Sequence, residues 1–256
     1  MNHAPATPLI HRLIRRFKPC FAGAALVAAW LTADAQAADN LPKGAAASPS
    51  SSVAGGEAGK TPAAQAAAET GFISLFNGRD LSGWAGSGWT VEDGAMVCHG
   101  GFLTWRKQPF TNFILRFEVK LSPGANNGLN FRSRNSHWNE IQIIDETHPG
   151  YAKLHDHQAH GSIYGVVPAR RGFCKPVGEW NTQEVMADGN HIKVTLNGTV
   201  VVDADVSKLD LDKCLDGTAH PWLRDPSGDL GWLGHANAGE KEGPVYLRNI
   251  RIKTLP

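Results

Sequence analysis

The stretch that decides the fold class is Asn112-Phe113-Ile114-Leu115-Arg116-Phe117-Glu118-Val119-Lys120-Leu121. From Leu115 onward, apolar and polar residues alternate with a period of two, which is typical of a β-strand with one buried and one solvated face. Residues 191–196 repeat this pattern, and Asn197-Gly198 then predicts a two-residue hairpin turn into a strand at 199–206. The sequence therefore predicts antiparallel strands.

Further turn signals continue this pattern along the chain. Glu92-Asp93-Gly94 and residues 187–190 predict additional hairpins, and residues 244–253 predict a closing strand. No segment indicates a helix of ten residues, and the 28 glycines and 15 prolines favour short strands and turns. Many short strands in one domain predict an all-β fold, a two-sheet β-sandwich or jelly roll. The polar, proline-bounded segment 207–226 is expected to form a long loop over one end.

The N-terminal segment has the three parts of a signal peptide. Basic residues between positions 12 and 18 precede an apolar run at 21–31, and Ala35-Gln36-Ala37 follows it. The run is too short to span a bilayer, which takes about 20 residues. We therefore expect cleavage after Ala37, a periplasmic or secreted protein, and no membrane attachment after cleavage.

Composition separates a tether from the folded domain. Of the 33 residues at 38–70, 22 are Ala, Gly, Ser or Pro and none is aromatic, so this stretch predicts a disordered tether. Residues 71–256 are long enough for one domain with a sizeable core. The 25 basic and 24 acidic residues give a net charge of +1, which does not support nucleic-acid binding. The exported part retains Cys98, Cys174 and Cys214, so one disulfide at most can form within it, with Cys174–Cys214 as the candidate pair.

The chemistry-bearing segment is 138–146. Alternation places Glu140 and Gln142 on one strand face and Ile141 and Ile143 on the other. Unbroken alternation would send Asp145 into the core, where a lone carboxylate is costly. We therefore expect a β-bulge between Gln142 and Asp145 that returns Asp145 to the face of Glu140.

The two acids admit several interpretations. Retaining β-glucanases of the laminarinase type use Glu-x-Asp-x-x-Glu, and the same spacing here is filled by Glu140, Gln142 and Asp145. A retaining glycosidase needs two carboxylates about 5–5.5 Å apart, but Asp145 is shorter than Glu and Gln142 carries no charge. A conventional retaining glycosidase is therefore one alternative. A purely structural pairing of the acids with Arg132 or Arg134 is another.

An ordered series of motifs resembles the 3-keto-disaccharide hydrolase family. The motifs follow one another over nearly all of residues 71–256: 71–84, 89–94, 127–132, 140–145, 161–165, 175–181, 196–198 and 248–253. The resemblance implies a concanavalin A-like jelly roll of the glucanase type and activity on glycosides whose sugar carries a ketone at carbon 3. It therefore implies an enzyme with a carbohydrate substrate. We expect no nucleotide cofactor.

A ketone at carbon 3 acidifies the hydrogen at carbon 2, which defines the expected catalytic groups. Glu140 or Asp145 is expected to remove that hydrogen, and the other would act as an acid or metal ligand. Alternation predicts that Arg132 shares a strand face with Asn130. Arg132, His160 or a bound divalent metal ion is expected to stabilise the resulting enolate. Water then adds after the oxygen at carbon 1 has left.

The remaining candidates concern binding. We expect Gln142, Asn130, Trp138, Tyr164 and Lys175 to contact substrate, because they lie near the carboxylates or within the shared motifs. Trp222 and Trp232 are further candidates for stacking on sugar rings. The histidine-rich stretch offers His155, His157 and His160 as ligands for a divalent metal, unless these imidazoles only decorate a solvated loop. The same fold also serves carbohydrate-binding modules and lectins without turnover.

Overall fold

The computed structural model describes residues 70–134, 137–234 and 243–256. The expected signal peptide (1–37) and, apart from Thr70, the expected tether (38–70) lie outside the described residues. Within the described ranges, no helix has both the length and the apolar character needed to cross a membrane.

The described residues form β-strands joined by turns and short 3₁₀ helices. The strands are β1 (Ile73–Ser74), β2 (Trp84–Gly86), β3 (Trp89–Glu92), β4 (Ala95–Cys98), β5 (Gly101–Trp105), β6 (Phe113–Leu121), β7 (Asn126–Arg134), β8 (His137–Ile144), β9 (Trp180–Asp188), β10 (His191–Leu196), β11 (Thr199–Asp205), β12 (Asp229–Gly234) and β13 (Val245–Thr254). The 3₁₀ helices are Pro149–Tyr151, Asp156–Gln158, Val206–Lys208 and Pro221–Arg224.

The strands build two antiparallel sheets. The larger sheet has the order β11-β10-β9-β6-β13-β4-β3, with β1 paired to β13, and the smaller has the order β2-β5-β12-β7-β8. Neighbours in these orders are often distant in sequence, as in β6–β13 and β12–β7, which is the connectivity of a jelly roll rather than of a meander. The prediction of an all-β, two-sheet jelly roll is confirmed.

The core lies between the two sheets. Strand β6 alternates buried and half-buried residues along its whole length, as the period-two pattern predicts. The smaller sheet contributes Leu103, Leu129, Ile141 and Trp232 to the same hydrophobic cluster. The alternate positions of the smaller sheet therefore lie on the opposite side, which we call the outer face.

The hairpin predictions are confirmed by backbone angles. Asn197 and Gly198 have φ of 49° and 82° between β10 and β11, as a tight hairpin turn requires. Asp93 and Gly94 have φ of 48° and 77° between β3 and β4. The expected long loop at 207–226 separates β11 from β12 and includes the 3₁₀ helix Pro221–Arg224.

Two expectations about side chains are wrong. Trp232 was a candidate for sugar contact, but it is 1% exposed and packs edge-on against Phe117, with the ring centroids 5.0 Å apart. Its position on β12 places it on the core side, because Gly231 and Leu233 occupy the outer face. The candidate pair Cys174 and Cys214 forms no disulfide, and both thiols are free, as is that of Cys98.

Replacing Trp232 with Ala should strongly destabilise the domain. The change leaves a cavity between the sheets, and large aromatic-to-alanine changes in a core cost about 3–5 kcal/mol in the free energy of unfolding. Urea denaturation of both proteins measures the loss. Phe102→Ala, an exposed change on the outer face of the same sheet, is the control and should cost under about 1 kcal/mol. Equal losses in the two variants would contradict this assignment of the faces.

Candidate functional site

A cross-strand row on the outer face contains the candidate base. Thr104 of β5 pairs with Gly231, Gly231 pairs with Asn130, and Asn130 pairs with Glu140 of β8. Tyr164 continues the row: its N–H donates to the Glu140 carbonyl oxygen, and Ile163 bridges to Ile141. Directly opposed residues share one face of a sheet. The row therefore places Asn130 and Tyr164 on either side of Glu140.

Glu140 is a buried carboxylate without a charged partner. The residue is 7% exposed, and its Oε1 atom has no hydrogen-bond partner among the described residues. Burial raises the pKa of Glu140 to about 8, because water no longer stabilises the charged form. A carboxylate of this basicity is suited to proton abstraction near neutral pH.

Gly128 makes room for this carboxylate. It lies one alternate position from Asn130 on β7, opposite Gln142. A Cβ atom at Gly128 would collide with Oε1 of Glu140, so the Glu140 side chain lies across the glycine. Gln142 is buried beside it and accepts a hydrogen bond from the N–H of Ile143 at 3.2 Å through its Oε1 atom.

Two polar groups flank the carboxylate. Asn130 is buried, and its Oδ1 atom has no partner among the described residues. The Tyr164 hydroxyl oxygen accepts a hydrogen bond of 2.8 Å from Nε2 of Gln158. This bond fixes the ring and leaves the hydroxyl proton of Tyr164 available for donation. Gln158 was missed from the sequence because a 3₁₀ turn, which carries no periodic signal, brings it to the tyrosine.

The predicted bulge between Gln142 and Asp145 is absent. β8 pairs with β7 in continuous register from Asn139 to Ile144, and Asp145 follows the end of the strand. Oδ2 of Asp145 accepts from the N–H of Gly124 at 2.9 Å. Its Oδ1 accepts from both the N–H and the hydroxyl of Thr147. Both oxygens therefore accept hydrogen bonds from the turns at the strand end, so the geometry does not favour Asp145 as a second catalytic group beside Glu140.

The irregularity lies instead at Arg132. The β7–β8 register shifts between Phe131 and Arg134, and Arg132 has a φ of 50°. Its side chain is buried and donates to the carbonyl of Leu223 at 3.4 Å. Burial lowers the pKa of Arg132, and the charges that oppose this shift come from Asp225 and Asp188, not from Glu140. The expectation that Arg132 shares the Asn130 face is therefore wrong.

The histidines do not converge. His155 and His157 stack with ring centroids 5.4 Å apart, but His160 is buried with Nδ1 against the Ile144 backbone and Nε2 against Oε1 of Gln183. Burial lowers the pKa of His160. Across residues 70–134, 137–234 and 243–256, no three His, Cys, Asp or Glu side chains are grouped to hold a metal. The arrangement does not fit the expected three-histidine site.

Lys175 lies apart from the Glu140 row. Its Nζ atom donates to the Trp180 carbonyl at 2.9 Å. Together with Asp145 and Cys174 it lines a cavity of about 460 Å³ that Glu140 does not line.

Trp138 lines a different cleft beside the Glu140 row. Its side chain is 49% exposed on the outer face, two residues before Glu140. The cleft has a volume of about 190 Å³ and includes Asn130, Phe102 and Arg134 in its lining. The sequence analysis missed Phe102. Leu103 and Trp105 of β5 are buried, so alternation along this strand would have placed Phe102 on the outer face.

Comparisons with known proteins agree on one family. Residues 71–253 match the model of the 3-keto-alpha-glucoside-1,2-lyase-like domain. A protein of Bacteroides thetaiotaomicron named 3-keto-disaccharide hydrolase is 27% identical over 234 residues, covering 72% of this chain and 79% of that protein.

Solved structures support the fold. Two proteins of Parabacteroides distasonis, each provisionally described as a glycosyl hydrolase, superpose with TM-scores of 0.63 and 0.62. The first is 26% identical, with 72% of this chain and 99% of that chain covered. The second is 22% identical, with 73% and 95% covered.

Glu140→Gln should change how stability depends on pH. Between the ordinary carboxyl pKa of 4.5 and about 8, the folded protein keeps a proton that the unfolded chain has lost. The free energy of unfolding of the parent therefore falls by about 1.4 kcal/mol per pH unit in this window. In urea denaturation, the free energy of unfolding of the variant should rise relative to that of the parent from pH 5 to 8 and should show no further relative rise above pH 8. Glu179→Gln, an exposed change, should show a constant difference, and a constant difference for Glu140→Gln would refute its raised pKa.

Asp145→Asn should lower stability. An amide has one acceptor oxygen and an NH₂ group that cannot accept, so either the Gly124 N–H or Thr147 loses its partner, at a cost of about 1–3 kcal/mol. Thermal and urea unfolding measure the loss. Asp93→Asn is the matched control, because Asn tolerates a positive φ in an exposed turn. An unchanged Asp145→Asn protein would show that these hydrogen bonds do not hold the strand end.

Proposed function

Because the chain belongs to the 3-keto-alpha-glucoside-1,2-lyase-like domain family and is a glycoside-acting enzyme, we propose that it cleaves 3-keto-glycosides with Glu140 as the base. One observation carries the assignment of the base: a buried, unpaired carboxylate of raised pKa lies on the outer face of the smaller sheet. The family match supports the substrate class, and the name of the Bacteroides relative supports a disaccharide.

The reaction begins with proton transfer. Glu140 takes the hydrogen from carbon 2, and the electron pair of that C–H bond forms an enolate with the ketone at carbon 3. Because Asn130 lies directly opposite Glu140, its amide N–H is the donor proposed to stabilise the enolate oxygen. We do not assign this role to Arg132, because the register shift at β7 takes it off the Asn130 face.

The leaving group departs in the second step. The enolate electrons form a double bond between carbons 1 and 2, and the C1–O1 bond breaks. The departing oxygen takes a proton from Tyr164, whose ring is held by Gln158. Water then adds its hydroxyl group to carbon 1 and gives its other proton to Tyr164, and the protonated Glu140 returns its proton to carbon 2, which yields the free 3-keto sugar and the free alcohol.

The alternatives have less support. A conventional retaining glycosidase needs a second carboxylate about 5–5.5 Å from the first, but the oxygens of Asp145 are engaged at Gly124 and Thr147. A carbohydrate-binding module has no use for an unpaired carboxylate of raised pKa. The divalent metal stays a prediction of the sequence, and we assign no step to it because the three histidines do not converge. Export to the periplasm or medium also stays a prediction.

The test compares an ordinary disaccharide with its 3-keto derivative. The protein should cleave only the keto form. In deuterated water, deuterium should enter carbon 2 of the product and of unreacted substrate. The kcat/KM of the parent protein for the keto substrate should rise with pH and level off above about 8, because the base must be ionised. Glu140→Gln should lower turnover by roughly 10² or more and abolish the exchange.

Asp145→Asn serves as the matched control in this experiment. Measured per folded molecule, its turnover should remain near that of the parent, because Asp145 lies outside the row. Cleavage of both disaccharides would favour the conventional glycosidase, and binding without cleavage would favour the binding module. A Glu140→Gln variant with full exchange at carbon 2 would remove Glu140 from the mechanism.

A further inference from the structure

Two exposed aromatic side chains face the same cleft on the outer face. The large exposed apolar side chains among the described residues are Ile73, Phe102, Trp138, Val200 and Leu215. Phe102 and Trp138, 54% and 49% exposed, both line the cleft of about 190 Å³ beside Asn130. Exposing large aromatic surface has a cost in water, so two such rings at one cleft indicate a contact surface.

The strand order determines how the two rings stand to each other. Phe102 is on β5 and Trp138 on β8, with β12 and β7 between them. Three inter-strand spacings, about 14 Å at roughly 4.8 Å each, separate the two strands. Phe102 lies level with Gln142, four residues along β8 from Trp138, so the two rings stand diagonally across the sheet. Gly231 on β12 pairs with Thr104 and Asn130. Because it has no side chain, nothing projects from β12 between the two rings at this position. The result is a trough with Phe102 and Trp138 at its two diagonal ends.

Trp138 is held in position from behind. Nε1 of Trp222 donates to the carbonyl oxygen of Trp138 at 3.3 Å. The Trp222 ring in turn packs against His137, with centroids 4.2 Å apart, and against His220 at 5.5 Å. The long loop between β11 and β12 thereby anchors the start of β8, which gives Trp138 a fixed backbone.

The polar groups of the trough are of mixed charge. Arg134 donates to the hydroxyl of Ser227 at 2.7 Å and lies 3.9 Å from Asp225. Asp229 lies 3.9 Å from Arg106. Each charge already has an opposite partner, so the trough does not select an anion or a cation. A neutral occupant with an apolar face and hydroxyl groups suits it.

We propose that this trough is the subsite for the leaving group and that it takes a neutral ring, a second sugar or a cyclic alcohol. The proposal rests on the proposed function and extends it by assigning the side of Glu140 on which the departing group lies. Aromatic faces pack against the C–H surface of a sugar ring. The volume lies below the roughly 300 Å³ at which drug-sized pockets begin, so one ring fits and a longer oligosaccharide extends into solvent.

The experiment varies only the leaving group. Methyl, cyclohexylmethyl and glucosyl 3-keto-glucosides share one keto ring, and the first two release alkyl alcohols of similar reactivity. The parent should prefer both ring-bearing substrates to the methyl glycoside. In Phe102→Ala the ratio of kcat/KM, ring-bearing over methyl, should fall about tenfold through KM, the size of one lost aromatic contact. Phe102→Tyr should restore the ratio.

Ile73→Ala, an exposed change on the larger sheet, is the control and should leave all three kcat/KM values unchanged. An equal loss on all three substrates in Phe102→Ala would overturn the subsite. If the parent cleaves none of the three, the proposed function fails. Calorimetric titration of the same glycosides then tests separately whether the trough binds the ring of the leaving group. Weaker binding of the ring-bearing compounds to Phe102→Ala than to the parent would then support it, and equal binding would overturn it.

Discussion

A buried carboxylate without a counter-charge is the constraint on which the site depends. An ionised group in this position is costly, and that cost raises the pKa of Glu140 to about 8. If the Glu140 side chain moved into solvent, both the desolvation cost and the raised pKa of its carboxyl group would be lost. The antiparallel pairing on both sides of β8, to β7 and to residues 162–164, keeps the strand from moving. The absence of a side chain at Gly128 then leaves the space in which the carboxylate lies.

Alternation predicted the faces of the strands but not their irregularities. It placed Glu140 and Gln142 on one face of β8 and Ile141 and Ile143 on the other, as the structure does. It failed at Arg132, where the register shifts. Bulges that need positive φ are usually marked by glycine, and an arginine at φ 50° gives no such signal. The bulge was therefore predicted at the wrong end of the β7–β8 pair.

Other errors came from contacts between elements distant in sequence. Asp145 looks like a second catalytic acid by spacing, but the Gly124 N–H that it accepts from belongs to the turn before β7. His160 looks like a metal ligand beside His155 and His157, but Gln183 on the other sheet occupies its Nε2 atom. Trp138 and Trp232 are both candidates for stacking, and only the register of β12 separates the exposed ring from the core ring. None of these contacts can be inferred from a local sequence pattern.

The single base that we propose is consistent with the chemistry of a ketone-bearing sugar. A conventional glycosidase must stabilise positive charge at carbon 1, which is why its second carboxylate acts as nucleophile or base. When carbon 3 is a ketone, the substrate itself acidifies carbon 2, and the negative charge develops on the ketone oxygen. A second carboxylate nearby would then oppose that charge. The neutral amides of Gln142 and Asn130 beside Glu140, and the engagement of Asp145 in the turns, both fit an enolate better than an oxocarbenium ion. In the proposed mechanism, Glu140, Gln142 and the engaged Asp145 therefore differ from Glu-x-Asp-x-x-Glu in the direction that stabilising an anion, rather than a cation, would require.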